Sequence, residues 1–215
     1  MTTKVPFKCQ CGKVTGTVKN ASPSKGNHVV CMCIDCQTYA HYLSSEAILD
    51  KNGGTELFQS TPNNFEIIDG TEFIKLLKLS PKGADRFYTG CCHTPIANNI
   101  SAKMAFSSTP TAIMDFDAVQ SSKAQTIGEV SHYCMAKYGY GDLPKNAHSK
   151  FPLLLTIKIF VTLLLGKLTK SYRPHPFYND KTGEPIAPSQ VIDKERKHEI
   201  IEKLYKIKQT YSSDS

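Results

Sequence analysis

The sequence lacks an apolar run at its amino end. "MTTKVPFKCQCGK" offers no hydrophobic stretch of leader type. No signal peptide is therefore expected, and the expected location is the reducing cytoplasm, where thiols persist and disulfides are unusual. That bears directly on the eight cysteines: it disfavours a disulfide scaffold, and their clustering favours metal. No convincing internal repeat is present, which argues against a repeat architecture. A strong charge of one sign is also missing. The formal net charge is +7, and seven thiolates holding two Zn²⁺ would bring it to about +4, since metal-binding thiols are deprotonated. So mild a basic excess does not establish a nucleic-acid partner, and none is expected.

What is present is a chain of 215 residues, long enough to bury a core without staples. Residues 1–110 read as short strands and turns. "GKVTGTVKN", "HVVCMC", "ELFQSTPNNFEIIDG", "FIKLLKLS" and "DRFYTG" carry strand signals, punctuated by Pro, Gly and Asn-Asn turns. From residue 111 the texture changes, and 111–215 is expected to be a helical extension packed on the first domain. "IGEVSHYCMAKYGYGDLP" reads as a short helix ended by Gly139, and "SQVIDKERKHEIIEKLYKIKQ" as a helix capped by Ser189.

Between them, 151–168 has twelve large apolar residues in eighteen. At ~100° per residue, Lys158, Thr162, Gly166 and Thr169 share one narrow face. The length and Lys158 argue against a membrane span. The expected reading is a helix whose apolar surface is covered by the domain, the C-terminal helix or a second subunit, with Lys158 and the Thr/Gly face able to reach solvent. A membrane-surface contact is the alternative.

The chemistry sits in the cysteines. Cys31, Cys33 and Cys36 form C-x-C-x-x-C. Sulfurs at i, i+2 and i+5 can converge on one ion. Three ligands without a local fourth describe a zinc site that keeps a position open for water or substrate. His28, Asp35 and His41 are the nearby candidates for closing it. A redox pair made of Cys33 and Cys36 is the weaker alternative, because such a pair normally starts a helix in a βαβ setting. Cys9 and Cys11 form a second pair. With one or two ligands from the distant Cys91-Cys92-His93 segment they would make a closed structural site. Adjacent cysteines rarely both bind one ion comfortably, so which of Cys91, Cys92 and His93 ligate stays open here. Cys134 reads as a buried small hydrophobe.

Cys9, Cys11 and Gly12, then Cys31, Cys33 and Cys36, then Phe65 and Gly70, then Cys92, Thr94, Pro95 and Ile96 together resemble the family of glutathione-dependent formaldehyde-activating enzyme and centromere protein V. The resemblance covers roughly residues 5–110. It implies a mainly β architecture, the β-tent of small antiparallel sheets around zinc. It also implies two Zn²⁺, one structural between the first C-x-C and a late C-x-x-C, here Cys9, Cys11 and Cys92 with Cys91 or His93, and one at C-x-C-x-x-C with an open position. Two departures stand out. Thr89 occupies the first ligand position of the late motif and His93 its usual glycine. Gln37 stands where the family often has a basic residue.

What the resemblance implies chemically is a carbon–sulfur lyase acting on a small thiol adduct, with glutathione as the family's thiol. A thiol bound to zinc loses its proton, and positioning then replaces a bimolecular encounter. A proton shuttle is still needed, and His28, Asp35, His41 and His93 are candidates by proximity in the sequence. The competing expectation is a non-catalytic zinc module that docks to a protein or a membrane surface.

Overall fold

The computed structural model describes residues 3–213 of the chain. Strict alternation builds the first hairpin. In β1 (Lys4–Lys8) Val5 and Phe7 are buried while both lysines face solvent, and in β2 (Thr15–Lys19) Gly16 and Val18 point inward. The next strand, β3 (Asn27–Cys31), is buried on both faces and runs into α1 (Ile34–Tyr42). There follow β4 (Thr55–Ser60), β5 (Phe65–Asp69), β6 (Ile74–Lys78), β7 (Asp85–Thr89), β8 (Pro95–Asn99) and β9 (Ser107–Pro110). The later part holds α2 (Lys123–Ile127), β10 (His132–Cys134), α3 (Leu153–Leu168), β11 (Ser189–Val191) and α4 (Lys194–Ser213).

The protein is mainly β. A small antiparallel sheet has the order β1-β2-β5, and a large mixed sheet the order β10-β3-β4-β9-β8-β7-β6-β11. Gly70 ends β5 with φ +80°, and a Cβ there would lie 2.2 Å from the Lys13 carbonyl oxygen, so the tight return past the first hairpin requires glycine.

The large sheet has two different faces, because successive side chains alternate. One face carries Phe58, Ile74, Leu76, Phe87 and Ala97, which pack with Val5, Phe7, Val18 and Phe65 of the small sheet into the main core. The opposite face is covered by helices. Towards β6 and β7, Tyr39 and Leu43 of α1 join Ile200 and Leu204 of α4 over Leu77 and Tyr88. Towards β3 and β4, Leu155 of α3 sits on Val29, Leu57, Cys31 and Cys36. The cysteines of C-x-C-x-x-C thus lie under the helices.

The chain after residue 110 differs from the sequence reading in three places. First, "SHYC" is not helical. His132–Cys134 adds to the open edge of β3 in parallel register, with Cys134 opposite Cys31, and an edge pairing satisfies backbone groups that a short helix would leave exposed. Second, Ser189 does not cap α4. Residues 189–191 pair with β6, and Asp193 Oδ1 accepts from the backbone N–H groups of Glu195 and Arg196 at 2.9 and 3.1 Å. The region after 110 therefore closes both edges of the large sheet as well as supplying helices.

The third difference is the orientation of α3. Leu155 and Gly166 are the buried positions, and Lys158 Nζ donates to the Gly26 carbonyl at 3.3 Å. Of the face expected to reach solvent, Lys158 and Thr169 are exposed while Gly166 packs on the domain, and the apolar face is left uncovered by the described residues: Leu154 is 76% and Phe160 65% exposed. Close approach decides it. A Cβ on Gly166 would come within 2.1 Å of Ala105 Cβ, so only the side with glycine can seat against the 101–106 loop.

Candidate metal centres

The first cluster joins two turns that are far apart in the sequence. Cys9 and Cys11 sit in the β1–β2 connection, Cys91 and Cys92 in the β7–β8 connection. Their sulfurs lie 3.6 Å (Cys9–Cys11), 4.0 Å (Cys9–Cys91), 3.4 Å (Cys11–Cys91) and 3.8 Å (Cys91–Cys92) apart. All four lie within 4.8 Å of one another. Four sulfurs tetrahedrally placed at ~2.3 Å from a zinc ion would be about 3.8 Å apart, so the donor set fits such an ion.

Adjacent Cys91 and Cys92 both belong to this group, which the sequence reading had treated as uncomfortable. His93 is not part of it. It takes a left-handed backbone conformation with φ 56°, which lets the turn reverse directly after the two thiols.

Thr89 has a defined role here. Its hydroxyl lies 3.2 Å from Cys92 Sγ and accepts from the Thr94 N–H at 3.1 Å, while the Thr94 hydroxyl lies 3.1 Å from the same sulfur. Burial opposes a charge on Cys92, yet these two hydroxyls bring its pKa down to about 5. Thr89 thus supports a candidate ligand and does not belong to the donor group itself.

The second cluster is Cys31, Cys33 and Cys36, whose sulfurs also lie within 4.8 Å of one another. Cys31 ends β3. Cys33 is the N-cap of α1 and its sulfur accepts the Cys36 N–H at 3.3 Å, where the helix N-terminus favours negative charge. The C-x-x-C does begin a helix, but the strands that flank it, β3 and β4, are antiparallel, so the βαβ setting of a redox pair is absent. Cys31 and Cys36 are buried, and Cys33 is the one of the three with part of its surface exposed. Among the described residues no fourth Cys, His, Asp or Glu joins the group. Cys134 lies beside it in the same apolar cluster, outside the convergent set, and burial raises its thiol to about 11.

A residue that the sequence reading missed completes this site. Arg86 of β7 is one of three arginines in the chain and is 6% exposed. It donates to Asn98 Oδ1 at 3.0 Å, lies 3.9 Å from Asp35 Oδ2 and stacks over Tyr39 at 5.3 Å. Burial works against its charge, but Cys36, Cys33 and Asp35 more than offset it. Cys36 in turn is held well below the usual thiol range, by hydrogen bonds from Cys31 and Cys33 and then by Arg86. The signal available in the sequence was an arginine inside "DRFYT", a strand with every residue buried; such a charge needs partners.

Gln37 is neutral and 1% exposed. Its amide donates to the carbonyls of Met32 and Tyr138 at 2.8 and 3.1 Å, tying the cysteine loop to the 136–138 turn. Positive charge at the three thiols comes from the sheet, through Arg86.

The other candidates fall into place around this centre. His28 lies on the opposite face of the sheet from Cys31, in register with Phe58. There it bonds Glu56 Oε1 and the Gly128 carbonyl, each at 2.6 Å, and Lys123 Nζ reaches Glu56 Oε2 at 2.6 Å. His28 is thus part of an ion network remote from the thiols. His41 ends α1 and lies 3.0 Å from Glu46 Oε1; burial lowers its pKa. Asp35, half-exposed beside Arg86, is the one candidate next to the three cysteines.

No curated protein matches. A crystal structure of a Rhodobacter sphaeroides protein is similar at 13% identity with a TM-score of 0.37, covering 58% of this chain and 96% of that one. A family model described as "Family of unknown function (DUF6151)" matches residues 1–190, a span that holds both cysteine clusters. The chain belongs to this family, DUF6151.

Proposed function

We propose that the protein is a zinc-dependent, carbon–sulfur lyase-like protein with two Zn²⁺ sites. Cys9, Cys11, Cys91 and Cys92 hold the structural ion. Cys31, Cys33 and Cys36 hold the reactive one, and the substrate is a small thiol adduct of the glutathione–formaldehyde hemithioacetal type. The observation that carries this reading is the three-membered thiol group with no fourth protein donor beside it, the arrangement of a metal site open to a ligand.

Zinc bound there supplies Lewis acidity and lowers the pKa of a substrate thiol. The chain's own residues do the rest. Arg86 places a buried positive charge against thiolates whose sum with one Zn²⁺ is −1, so an incoming thiolate meets less repulsion. Partly accessible Cys33 marks the side from which substrate approaches. Cleavage of the adduct breaks the C–S bond, moves the hydroxyl proton to sulfur and releases the thiol and the aldehyde. Asp35 is the carboxylate next to the site and takes the role of proton carrier.

The test is exchange of formaldehyde between glutathione adduct and free thiol, followed by NMR. Acceleration by the wild type, lost in Cys33→Ser and slowed in Asp35→Asn, supports the reading. No acceleration with both metal sites filled contradicts it.

The uncovered apolar face of α3 favours a second reading, a non-catalytic zinc module that docks through that helix. A saturated metal at Cys31, Cys33 and Cys36 would favour the module.

A further inference from the structure

The outward face of α3 is a built surface. Leu154, Ile157, Phe160, Val161, Leu164 and Leu168 are between 44% and 76% exposed. They occupy an arc of roughly 120° at ~100° per residue. The helix cannot turn this arc inward. Its other side is fixed by Leu155 against Val29 and Leu57, by the Lys158 bond to Gly26, and by the contact of Gly166 with Ala105. An apolar patch of this kind on a folded domain marks an interaction site.

Charge identifies what it meets. Residues 143–179 contain no aspartate or glutamate; Lys150 precedes the helix, Lys167 lies in its last turn, and Lys170 and Arg173 follow it. All four are exposed. The cavity of about 550 Å³ beneath the helix adds Lys25 to its lining and no carboxylate. An apolar face rimmed by cations and free of anions matches an anionic lipid surface, into which such a helix sinks its apolar side while lysines meet the headgroups. A second copy would oppose the same basic rims across a two-fold axis. Crossing a membrane is not available to it: no helix among the described residues is long and apolar enough.

We infer that α3 docks the protein flat on an anionic membrane surface, held by the apolar arc and by Lys150, Lys167, Lys170 and Arg173. This is independent of the chemistry at the cysteines.

The test is co-sedimentation of the full chain with phosphatidylcholine vesicles, with and without phosphatidylserine. With roughly 30% phosphatidylserine the bound-to-free ratio should rise at least about tenfold over neutral vesicles and fall again with added salt. The Leu154→Glu/Phe160→Glu variant should lose binding to both, with unchanged circular dichroism and metal content as the control for folding. The Lys167→Glu/Lys170→Glu variant should lose the preference for anionic vesicles. Equal binding to both compositions, or none, would overturn the inference. So would a stable dimer in sedimentation velocity that Phe160→Glu dissociates, because a second copy would then be the occupant of this face.

Discussion

Cys11 and Cys91, eighty positions apart in the chain, hold their sulfurs 3.4 Å from each other. Through them the β1–β2 turn of the small sheet is tied to the β7–β8 turn of the large one. A metal in that cluster is a staple between the two sheets, and its binding free energy is folding free energy. Cys11→Ser should remove one metal equivalent and cost at least about 3 kcal/mol, a fall in Tm of roughly 6–12 °C for a chain of this size. Thermal denaturation with metal analysis checks it; unchanged Tm and metal content would remove the staple from the account.

Arg86 should resist replacement. Arg86→Leu strands Asn98 and leaves the thiolates without their cation, at a cost of about 3–5 kcal/mol. Arg86→Lys keeps the charge and loses the planar fork, so it should recover only part of the loss. Urea denaturation of the two variants separates the contributions. Equal stability of Arg86→Leu and wild type would mean the guanidinium is a bystander.

The Glu56 network gives a pH dependence. Hydrogen bonding from His28, and then Lys123, lowers the Glu56 pKa to about 2, against the opposing effect of burial. A carboxylate with a depressed folded pKa stabilises the fold above its unfolded value of about 4.3, and that stability is lost as pH falls towards about 2. Its side chain is 31% exposed, so solvent screening brings the contribution to about 1–2 kcal/mol. Glu56→Gln should be destabilised by that amount at neutral pH, and the gap to wild type should narrow from about pH 4.3 downwards. A gap independent of pH would show that the carboxylate charge is not what matters.

Gly166 and Ala105 should be coupled. Gly166→Ala forces a contact that cannot exist at 2.1 Å, which should cost about 1–3 kcal/mol as overpacking. In an Ala105→Gly background the same change should cost clearly less. Strict additivity in a double-mutant cycle would mean that α3 is not seated as described.

Much of the strand pattern of residues 1–110 was legible because turns and alternation are local signals. Gly16 and Val18 alternate with threonines in β2, and the Pro62–Asn64 turn separates two strands as its composition suggests. The cysteine groups were legible for a similar reason, since each of the three motifs is short-range. The misreadings all required distant partners. His132–Cys134 is a strand only because β3 has a free edge, and Ser189–Val191 only because β6 has one. The face of α3 that packs was decided by Ala105, sixty-one positions before Gly166. Arg86 joined the three thiols because β7 and α1 meet, and His28 left them because one strand has two faces.

Cys134 offers a simple check on the second cluster. Opposite Cys31 in register but outside the convergent sulfurs, it should be replaceable: Cys134→Ala should keep the full metal content, whereas Cys33→Ser should lose about one equivalent. Loss of metal in Cys134→Ala would make it the fourth ligand and close the site.

The most direct measurement is metal analysis combined with X-ray absorption on protein made in zinc-replete medium. The account predicts two zinc ions, with sulfur at ~2.3 Å and an average coordination of about 3.5 sulfurs plus 0.5 light atom, for one closed and one open site. In Cys11→Ser the remaining zinc should show three sulfurs and one light ligand. Protein without zinc, or four sulfurs around every ion, would contradict the open three-thiolate centre.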